Sequence, residues 1–166
     1  MQIAAGLKQK GAVYASDVRA YKLDEVKKRA KRAQFDNVRT LEWNGEKLPK
    51  FPREIAIRAG FDTVLVDAPC SSSGTWRRNP DAKIKVTAEG LQSVSQLQLA
   101  ILNQVCTAVK KGGTLVYSTC TWLRCENEDV VAKFLLAHPE FSLVSQECFG
   151  SPWHDSDTMF AAVLKK

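Results

Sequence analysis

The chain has 166 residues, of which 45% are hydrophobic, and its formal net charge at pH 7 is +6. This length and apolar content suit one globular domain with a hydrophobic core and exclude an intrinsically disordered chain. The sequence shows no apolar run long enough to span a membrane and no signal-peptide pattern at its N-terminus, so we expect a cytoplasmic protein. The basic charge favours a polyanionic partner, although composition alone does not identify one.

Cysteine usage argues against two structural roles for the thiols. The chain has five cysteines, an odd number, and no export signal. Both observations argue against a disulfide framework. Cys120 and Cys125 are the closest pair, and their spacing is too loose for a zinc knuckle. We therefore predict no metal site.

The N-terminal part predicts a helix followed by a short strand. The helix closes near Gly11, and a helix that ends so early leads us to expect further sequence upstream. The strand covers residues 12–16 and ends at Asp17. An acid at this position commonly accepts hydrogen bonds from the ribose of a nucleotide, but Asp17 is equally compatible with an N-cap of the following helix.

A basic amphipathic helix is predicted next, over residues 22–34. Its basic face can meet phosphate, although a solvated helix surface is the favoured interpretation. A strand at residues 37–41 precedes an irregular stretch at 42–50, in which Trp43 and Asn44 can border a ligand. A short helix at residues 53–58 then closes at Gly60.

Two apolar strands that each lead to a cysteine dominate the rest of the chain. Val64-Leu65-Val66 reads as a buried parallel strand and is followed by Asp67 and Cys70. Residues 113–119 repeat the arrangement and lead to Cys120. Because ligands bind at the carboxyl ends of parallel strands, the two thiols are predicted to face one pocket.

The loop at residues 71–81 is long enough to indicate function, and its Trp76, Arg77 and Arg78 suit contact with a nucleic acid. The alternative is a capping loop with surface arginines. An amphipathic helix is predicted over residues 88–109, with Cys106 as an inert packing residue. Residues 126–129, of which Glu126, Glu128 and Asp129 are acidic, predict the first turn of a further helix.

The C-terminal residues 141–144 and 159–164 predict two strands that pair antiparallel. His154, just before the last strand, can approach the pocket, although exposure to solvent is the favoured interpretation.

Four motifs in order carry a family resemblance: Asp-Ala-Pro-Cys-Ser at residues 67–71, Arg-Arg-Asn-Pro-Asp at 77–81, Tyr-Ser-Thr-Cys at 117–120 and Glu-Asn-Glu at 126–128. Together they resemble the RsmB/Sun family of RNA cytosine-5 methyltransferases. The resemblance implies an α/β, Rossmann-like class I methyltransferase fold with a mostly parallel sheet and an antiparallel last strand. Residues 1–166 are then expected to form a single, partial catalytic domain that is N-terminally truncated, because the family's first strand and Pro-Gly-Gly-Lys loop would precede Met1.

The resemblance also assigns chemistry to the two thiols. Carbon 5 of cytosine is a poor nucleophile until a thiolate adds to carbon 6, and the family places that nucleophile at Cys120. Carbon 5 then takes a methyl group from S-adenosylmethionine. The resemblance assigns the release of the product, in which a base removes the proton of carbon 5, to the other thiol, Cys70. It implies that Asp67 binds the cytosine edge and stabilises the charge that develops on the ring.

For the cofactor, the resemblance implies that Asp17 binds the ribose, that Asn44 stands where an acid usually lies near the adenine, and that Asp67 borders the site. The expected partner is ribosomal RNA, with transfer RNA as a second possibility, and Arg77 and Arg78 are the expected RNA contacts.

Two alternatives to an active enzyme remain at this point. One is a catalytically incomplete RNA-binding fragment, which cofactor binding would distinguish from an enzyme. The other is a thiol redox protein that uses Cys70 and Cys120, and we rank it lower because a close Cys-x-x-Cys pair is absent. The sequence predicts no membrane association and leaves the oligomeric state open.

Overall fold

The protein is described here from a computed structural model, which covers residues 1–8, 10–44, 51–57 and 59–166. The chain divides into two compact units, Met1–Lys50 and Phe51–Lys166. Most of the irregular stretch predicted at residues 42–50 lies outside the described residues, as does position 58. No helix in the described part of the chain is both long and apolar enough to cross a membrane.

The first unit consists of two parallel strands and two helices. Its elements are helix α1 (Gln2–Gly6), strand β1 (Val13–Asp17), helix α2 (Ala20–Arg32) and strand β2 (Val38–Glu42). The register places Asp17 opposite Glu42, so both strands end at the same edge of this small sheet. Leu23 and Ala30 of α2 are buried, whereas its basic residues are exposed, as expected for an amphipathic helix.

The second unit combines a four-stranded sheet with helices. Its elements are helix α3 (Arg53–Ile57), strand β3 (Phe61–Asp67), helix α4 (Pro80–Ile84), helix α5 (Ala88–Val105), strand β4 (Val109–Thr119), helix α6 (Glu128–Ala137), strand β5 (Ser142–Phe149) and strand β6 (Met159–Lys165). The strand order is β3-β4-β6-β5. Strands β3 and β4 are parallel, and β6 is antiparallel to both of its neighbours, which confirms the predicted antiparallel last strand.

Strand β4 lies at the centre of this unit, and its side chains alternate between two environments. Leu115 and Tyr117 are 0% exposed, and so is Leu164 of the neighbouring β6. From the helices, Leu102 of α5 and Phe134 of α6 are also fully buried. A strand paired on both sides and covered by helices has the environment expected for a sheet centre, so β4 is a rigid support for the residue that follows it.

Strand β3 is parallel, as predicted, but the prediction that it is buried is wrong for most of its length. Val66 is buried, whereas Val64 is half-buried and Leu65 is 51% exposed. The physical reason is its place in the sheet, because among the residues that the structure describes β3 is the terminal strand of the order β3-β4-β6-β5 and pairs with β4 alone. An apolar run predicts that a strand is buried on both faces. The burial of its side chains, however, depends on the elements that pack around the strand.

The predicted end of the long amphipathic helix and the predicted start of the next strand are also wrong. Helix α5 ends at Val105 rather than 109, and a 3-10 turn at Cys106–Ala108 leads directly into β4. Gly112 belongs to that strand, with a φ of 72°, and its N–H donates to the carbonyl of Lys166. Strand β4 therefore begins at Val109, before the strand predicted at residues 113–119.

The loop after β3 packs tightly against the residues before β6 at Gly74. Gly74 N–H donates to the carbonyl of Cys120 (3.0 Å), and Thr158 N–H donates to the carbonyl of Gly74 (3.0 Å). A Cβ atom at this position would overlap the carbonyl oxygen of Thr158. Only glycine fits where two backbone segments approach so closely.

We expect Gly74→Ala to lower the free energy of unfolding by at least about 2 kcal/mol, because the methyl group has no space between two backbone segments. Urea unfolding followed by tryptophan fluorescence measures the change. Gly6→Ala is the matched control, since its added methyl group meets nothing within 4 Å. Equal stabilities for Gly74→Ala and the wild-type chain would contradict the packing described for this loop.

Candidate active site

The two predicted thiols meet at the carboxyl ends of β3 and β4. Asp67, the last residue of β3, lies opposite Ser118 of β4, so the chain leaves both strands at the same edge of the sheet. Cys70 follows β3 by three residues and Cys120 follows β4 directly. Their Sγ atoms are 3.3 Å apart. The sequence predicted that the two thiols share one pocket, and the structure brings them into contact.

Backbone contacts hold the loop of Cys70 next to Cys120. Ala68 N–H donates to the carbonyl of Ser118 at 3.0 Å and so continues the β3–β4 ladder by one bond. Ser72 then adopts a left-handed conformation, with a φ of 57°, which turns the chain back. As a result, the Ser72 Oγ lies 3.4 Å from the Cys120 Sγ.

The two thiols have opposite tendencies to ionise. Its hydrogen bond with Cys70 lowers the pKa of Cys120 from the ordinary 9.0 to about 6; burial opposes the change and the hydrogen bond with Ser72 adds to it. The same contact with Cys120, together with burial, raises the pKa of Cys70. A thiol that donates to its neighbour stabilises that neighbour as a thiolate, so the contact favours Cys120 as the nucleophile of the pair and Cys70 as its proton donor.

Asp67 and Arg78 contribute charge around Cys120. Asp67 is exposed at the end of β3, and its negative charge opposes the lowering of the Cys120 pKa. In the other direction, Cys120 is among the anionic groups that raise the pKa of Arg78, after the larger effect of Asp157. Both residues therefore lie within electrostatic reach of the thiol.

The two arginines proposed for RNA contact form ion pairs with acids just before β6. Arg77 Nη1 lies 2.7 Å from the Asp155 carboxylate, and Arg78 Nη2 lies 2.8 Å from the Asp157 carboxylate. The side chains of Arg77 and Arg78 are 44% and 62% exposed. The sequence did not reveal these pairs, which tie the arginine loop to the residues before β6.

Trp76 and Trp122 pack edge to face beside this loop, with ring centroids 6.1 Å apart. Trp76 is half-buried, whereas Trp122 is 52% exposed and follows Cys120 by two residues. The exposed ring of Trp122 is thus the aromatic surface nearest in sequence to the reactive thiol. The sequence predicted an aromatic contact to nucleic acid at Trp76 and did not indicate Trp122.

A buried carboxylate that the sequence analysis assigned to a helix start lies behind the thiols. Glu126 was predicted in the first turn of α6, but this prediction is wrong, since α6 begins at Glu128 and Glu126 ends a 3-10 turn at Arg124–Glu126. Its side chain is 0% exposed. It accepts hydrogen bonds from Ser71, Gln98 and Thr121.

Asn127 holds the backbone on both sides of Cys120. Its Oδ1 accepts a hydrogen bond from the Thr119 hydroxyl at 2.7 Å, and its Nδ2 donates to the Thr121 carbonyl at 2.9 Å. The side chain is fully buried. Together with Ser72 and Glu126, Asn127 is a site residue that sequence reasoning missed; the only signal was the Glu-Asn-Glu motif after the second thiol.

Asp17 lies at the end of β1 in the first unit, next to a cleft of about 310 Å³. The N-cap alternative is wrong, because the N-cap of α2 is Arg19. The Asp17 carboxylate instead accepts bonds from the Arg19 N–H (2.9 Å) and guanidinium, which lower its pKa. Asn44 is exposed two residues beyond the end of β2, at the same edge of the sheet.

Other residues singled out in the sequence do not join the thiols. Cys106 is 2% exposed, which confirms it as a packing residue, and burial raises its pKa. His154 is exposed in a 3-10 turn at Pro152–His154. Among the described residues, no cluster of three or more metal-ligating side chains occurs.

Comparison with known proteins identifies relatives of the whole chain. Its residues 1–164 match the family model described as 16S rRNA methyltransferase RsmB/F. A probable ribosomal RNA small subunit methyltransferase B of Bacillus subtilis (strain 168) is 39% identical over 84% of the chain and 30% of its own length. For ribosomal RNA small subunit methyltransferase F of Escherichia coli O9:H4 (strain HS), the identity is 33% over 84% of the chain and 28% of that protein.

The fold matches a solved structure as well. The crystal structure of PH0851 superposes on 99% of the chain, and on 39% of its own chain, with a TM-score of 0.88 and 34% sequence identity. The chain thus spans about a third of the length of the relatives it matches. Since the family model covers residues 1–164, this chain belongs to the 16S rRNA methyltransferase RsmB/F family and has its Rossmann-like methyltransferase fold.

Proposed function

We propose that this chain carries the catalytic thiols of an S-adenosylmethionine-dependent enzyme that methylates carbon 5 of a cytosine in RNA. The observation that carries the proposal is the contact between Cys70 and Cys120 at 3.3 Å, at the carboxyl ends of two parallel strands. The family membership and the names of the relatives, which are ribosomal RNA methyltransferases, support RNA as the substrate class.

Cys120 is the proposed nucleophile. Its hydrogen bonds with Cys70 and Ser72 lower its pKa to about 6, which favours the thiolate at neutral pH. The thiolate adds to carbon 6 of the cytosine and forms a sulfur–carbon bond, and the electron pair of the carbon 5–carbon 6 double bond becomes available at carbon 5. Carbon 5 thereby becomes nucleophilic enough to accept a methyl group.

Cys70 is the proposed base for product release. Its pKa is raised chiefly by its hydrogen bond with Cys120. Once the Cys120 sulfur is bonded to carbon 6, that acceptor is neutral, so the main cause of the raised pKa disappears. Cys70 can then lose its proton to water and take the proton from carbon 5, whereupon the sulfur–carbon bond breaks and Cys120 leaves as a thiolate.

Asp67 is the proposed contact to the cytosine edge. It is exposed at the end of β3 and within electrostatic reach of Cys120, so a base bound over the thiol would meet its carboxylate. Arg77 and Arg78 remain the proposed contacts to the RNA backbone. Their ion pairs with Asp155 and Asp157 leave both side chains exposed, which is compatible with contact to phosphate.

The residues at the end of β1 fit a nucleoside cofactor. Asp17 is a carboxylate at the carboxyl end of a parallel strand, its pKa is lowered, and it borders a cleft of about 310 Å³. We propose that Asp17 binds the ribose of S-adenosylmethionine and that Asn44 lies near its adenine. When bound, the cofactor supplies an electrophilic methyl group.

We expect Cys120 to be alkylated by iodoacetamide with a rate that rises with pH and reaches half of its plateau near pH 6, the value to which its pKa is lowered. Below this pH the sulfur is protonated and unreactive. Peptide mass spectrometry measures the rate for each cysteine separately. Cys148 is the internal control, because it is accessible to the reagent and partial desolvation of its thiol raises its pKa, so its midpoint should lie above that of Cys120. A midpoint for Cys120 near the ordinary 9.0 would contradict the thiolate assignment.

In the whole protein, we expect Cys120→Ser to abolish methyl transfer to unmodified small-subunit ribosomal RNA, because a hydroxyl does not add to carbon 6. Cys70→Ser should retain addition but not release, so it accumulates a covalent RNA adduct. Radiolabelled methyl transfer and denaturing gels measure the two outcomes. Cys106→Ser is the control, since that thiol packs away from the site.

Wild-type turnover by Cys120→Ser would overturn the nucleophile assignment. RNA binding without methyl transfer by the wild-type protein would instead favour a non-catalytic RNA-binding role.

A further inference from the structure

Glu126 is a buried ionisable group that no step of the proposed reaction uses. Its side chain is 0% exposed, and the donors that bond to it, from Ser71, Gln98 and Thr121, are all uncharged. A carboxyl group is costly to bury unless hydrogen bonds replace its hydration. The proposed reaction therefore leaves the burial of the Glu126 carboxyl group unexplained.

The two oxygens of Glu126 bond to the neighbours of both thiols. Oε2 accepts from the Ser71 N–H at 2.8 Å, and Oε1 accepts from the Ser71 hydroxyl at 2.5 Å. Oε1 also accepts from the Thr121 hydroxyl at 3.1 Å. Ser71 follows Cys70 and Thr121 follows Cys120 in the sequence. The Glu126 carboxylate thus links the loop that carries Cys70 to the loop that carries Cys120.

Gln98 of α5 fixes the same loop from the helix side. Its Nε2 donates to the Pro69 carbonyl at 2.8 Å and to the Glu126 carboxylate at 3.2 Å. Pro69 directly precedes Cys70, so the backbone on both sides of this thiol is bonded to the same buried group or to its partner.

The bonds to Glu126 also set the direction of a chain of hydroxyl groups. The Thr121 hydroxyl donates its one hydrogen to Glu126 Oε1 at 3.1 Å. The Thr121 oxygen then accepts from the Ser73 hydroxyl (2.6 Å), and the Ser73 oxygen accepts from the Trp122 N–H (3.1 Å). The whole chain points toward Glu126, and such connected bonds reinforce one another.

We propose that Glu126 is a positioning residue, which holds Cys70 and Cys120 at their reactive separation by tying Ser71 and Thr121 to a single acceptor. Asn127 differs from it in kind, because the Asn127 side chain bonds to Thr119 and Thr121, on either side of Cys120. The proposal deepens the proposed function, since it concerns the same two thiols. Its test needs neither RNA nor S-adenosylmethionine, so the two proposals can fail separately.

The test measures how readily the two sulfurs reach each other in the 166-residue chain. The Cys120 thiolate attacks glutathione disulfide, forms a mixed disulfide and releases one glutathione thiolate. Cys70, after losing its proton, then attacks the Cys120 sulfur, closes the Cys70–Cys120 bond and releases the second glutathione. The rate of this second, intramolecular step reports the distance and orientation of the sulfurs.

We expect Glu126→Gln to slow ring closure about tenfold relative to wild type, because an NH₂ group replaces one acceptor and faces a donor. The midpoint of Cys120 alkylation should also rise from about 6 toward 9.0, since Cys70 no longer donates at the right distance. Glu147→Gln is the matched control, the same change on exposed strand β5, and should behave as wild type. Near-ultraviolet circular dichroism establishes that each variant is folded.

Wild-type closure and an unchanged midpoint in folded Glu126→Gln would overturn the proposal and leave Glu126 a space-filling residue. If Glu126→Gln does not fold, Ser71→Ala provides the test. This change removes the hydroxyl that donates to Glu126 and keeps the bond from the Ser71 N–H. Slower closure in Ser71→Ala supports the proposal, and closure at the wild-type rate refutes it.

Discussion

The parallel register of β3 and β4 is the constraint on which the site depends. It places Asp67 opposite Ser118, so the loops that leave the two strands begin side by side. The core packing of β4 and the close contact at Gly74 then leave the loops little freedom to separate. The contact between two cysteines that are 50 residues apart in sequence is thus a consequence of sheet geometry rather than of a local motif.

One hydrogen bond explains the unequal chemistry of two identical side chains. A thiol that donates to its neighbour keeps its own proton and stabilises the neighbour's negative charge, so the pKa values of Cys70 and Cys120 move apart. Ser72 breaks the symmetry, because its hydroxyl reaches Cys120. The same arrangement suits addition by one sulfur and proton removal by the other, since the first step weakens the bond that keeps Cys70 protonated.

The sequence predicted features that local patterns determine and missed those that depend on distant partners. Apolar strands that break into cysteine-bearing loops predicted the meeting of the two thiols. Acids before an apolar helix look the same whether exposed or buried, so the burial of Glu126 was not predictable; its partner Ser71 is 55 residues away. Likewise, Arg78 pairs with Asp157 at a separation of 79 residues. Leu65 lies in an apolar run but is exposed, because β3 is the terminal strand of the described sheet and the surroundings of a strand determine its burial.

The most direct test of the account identifies the cysteine that attacks the base. The whole protein is incubated with S-adenosylmethionine and a small-subunit ribosomal RNA in which the cytosines carry fluorine at carbon 5. Since carbon 5 then has no proton to lose, release is blocked and the adduct persists. Tandem mass spectrometry of the digested product locates the attached nucleotide. We expect attachment at Cys120, and attachment at Cys70 would contradict the assignment of Cys120 as the nucleophile.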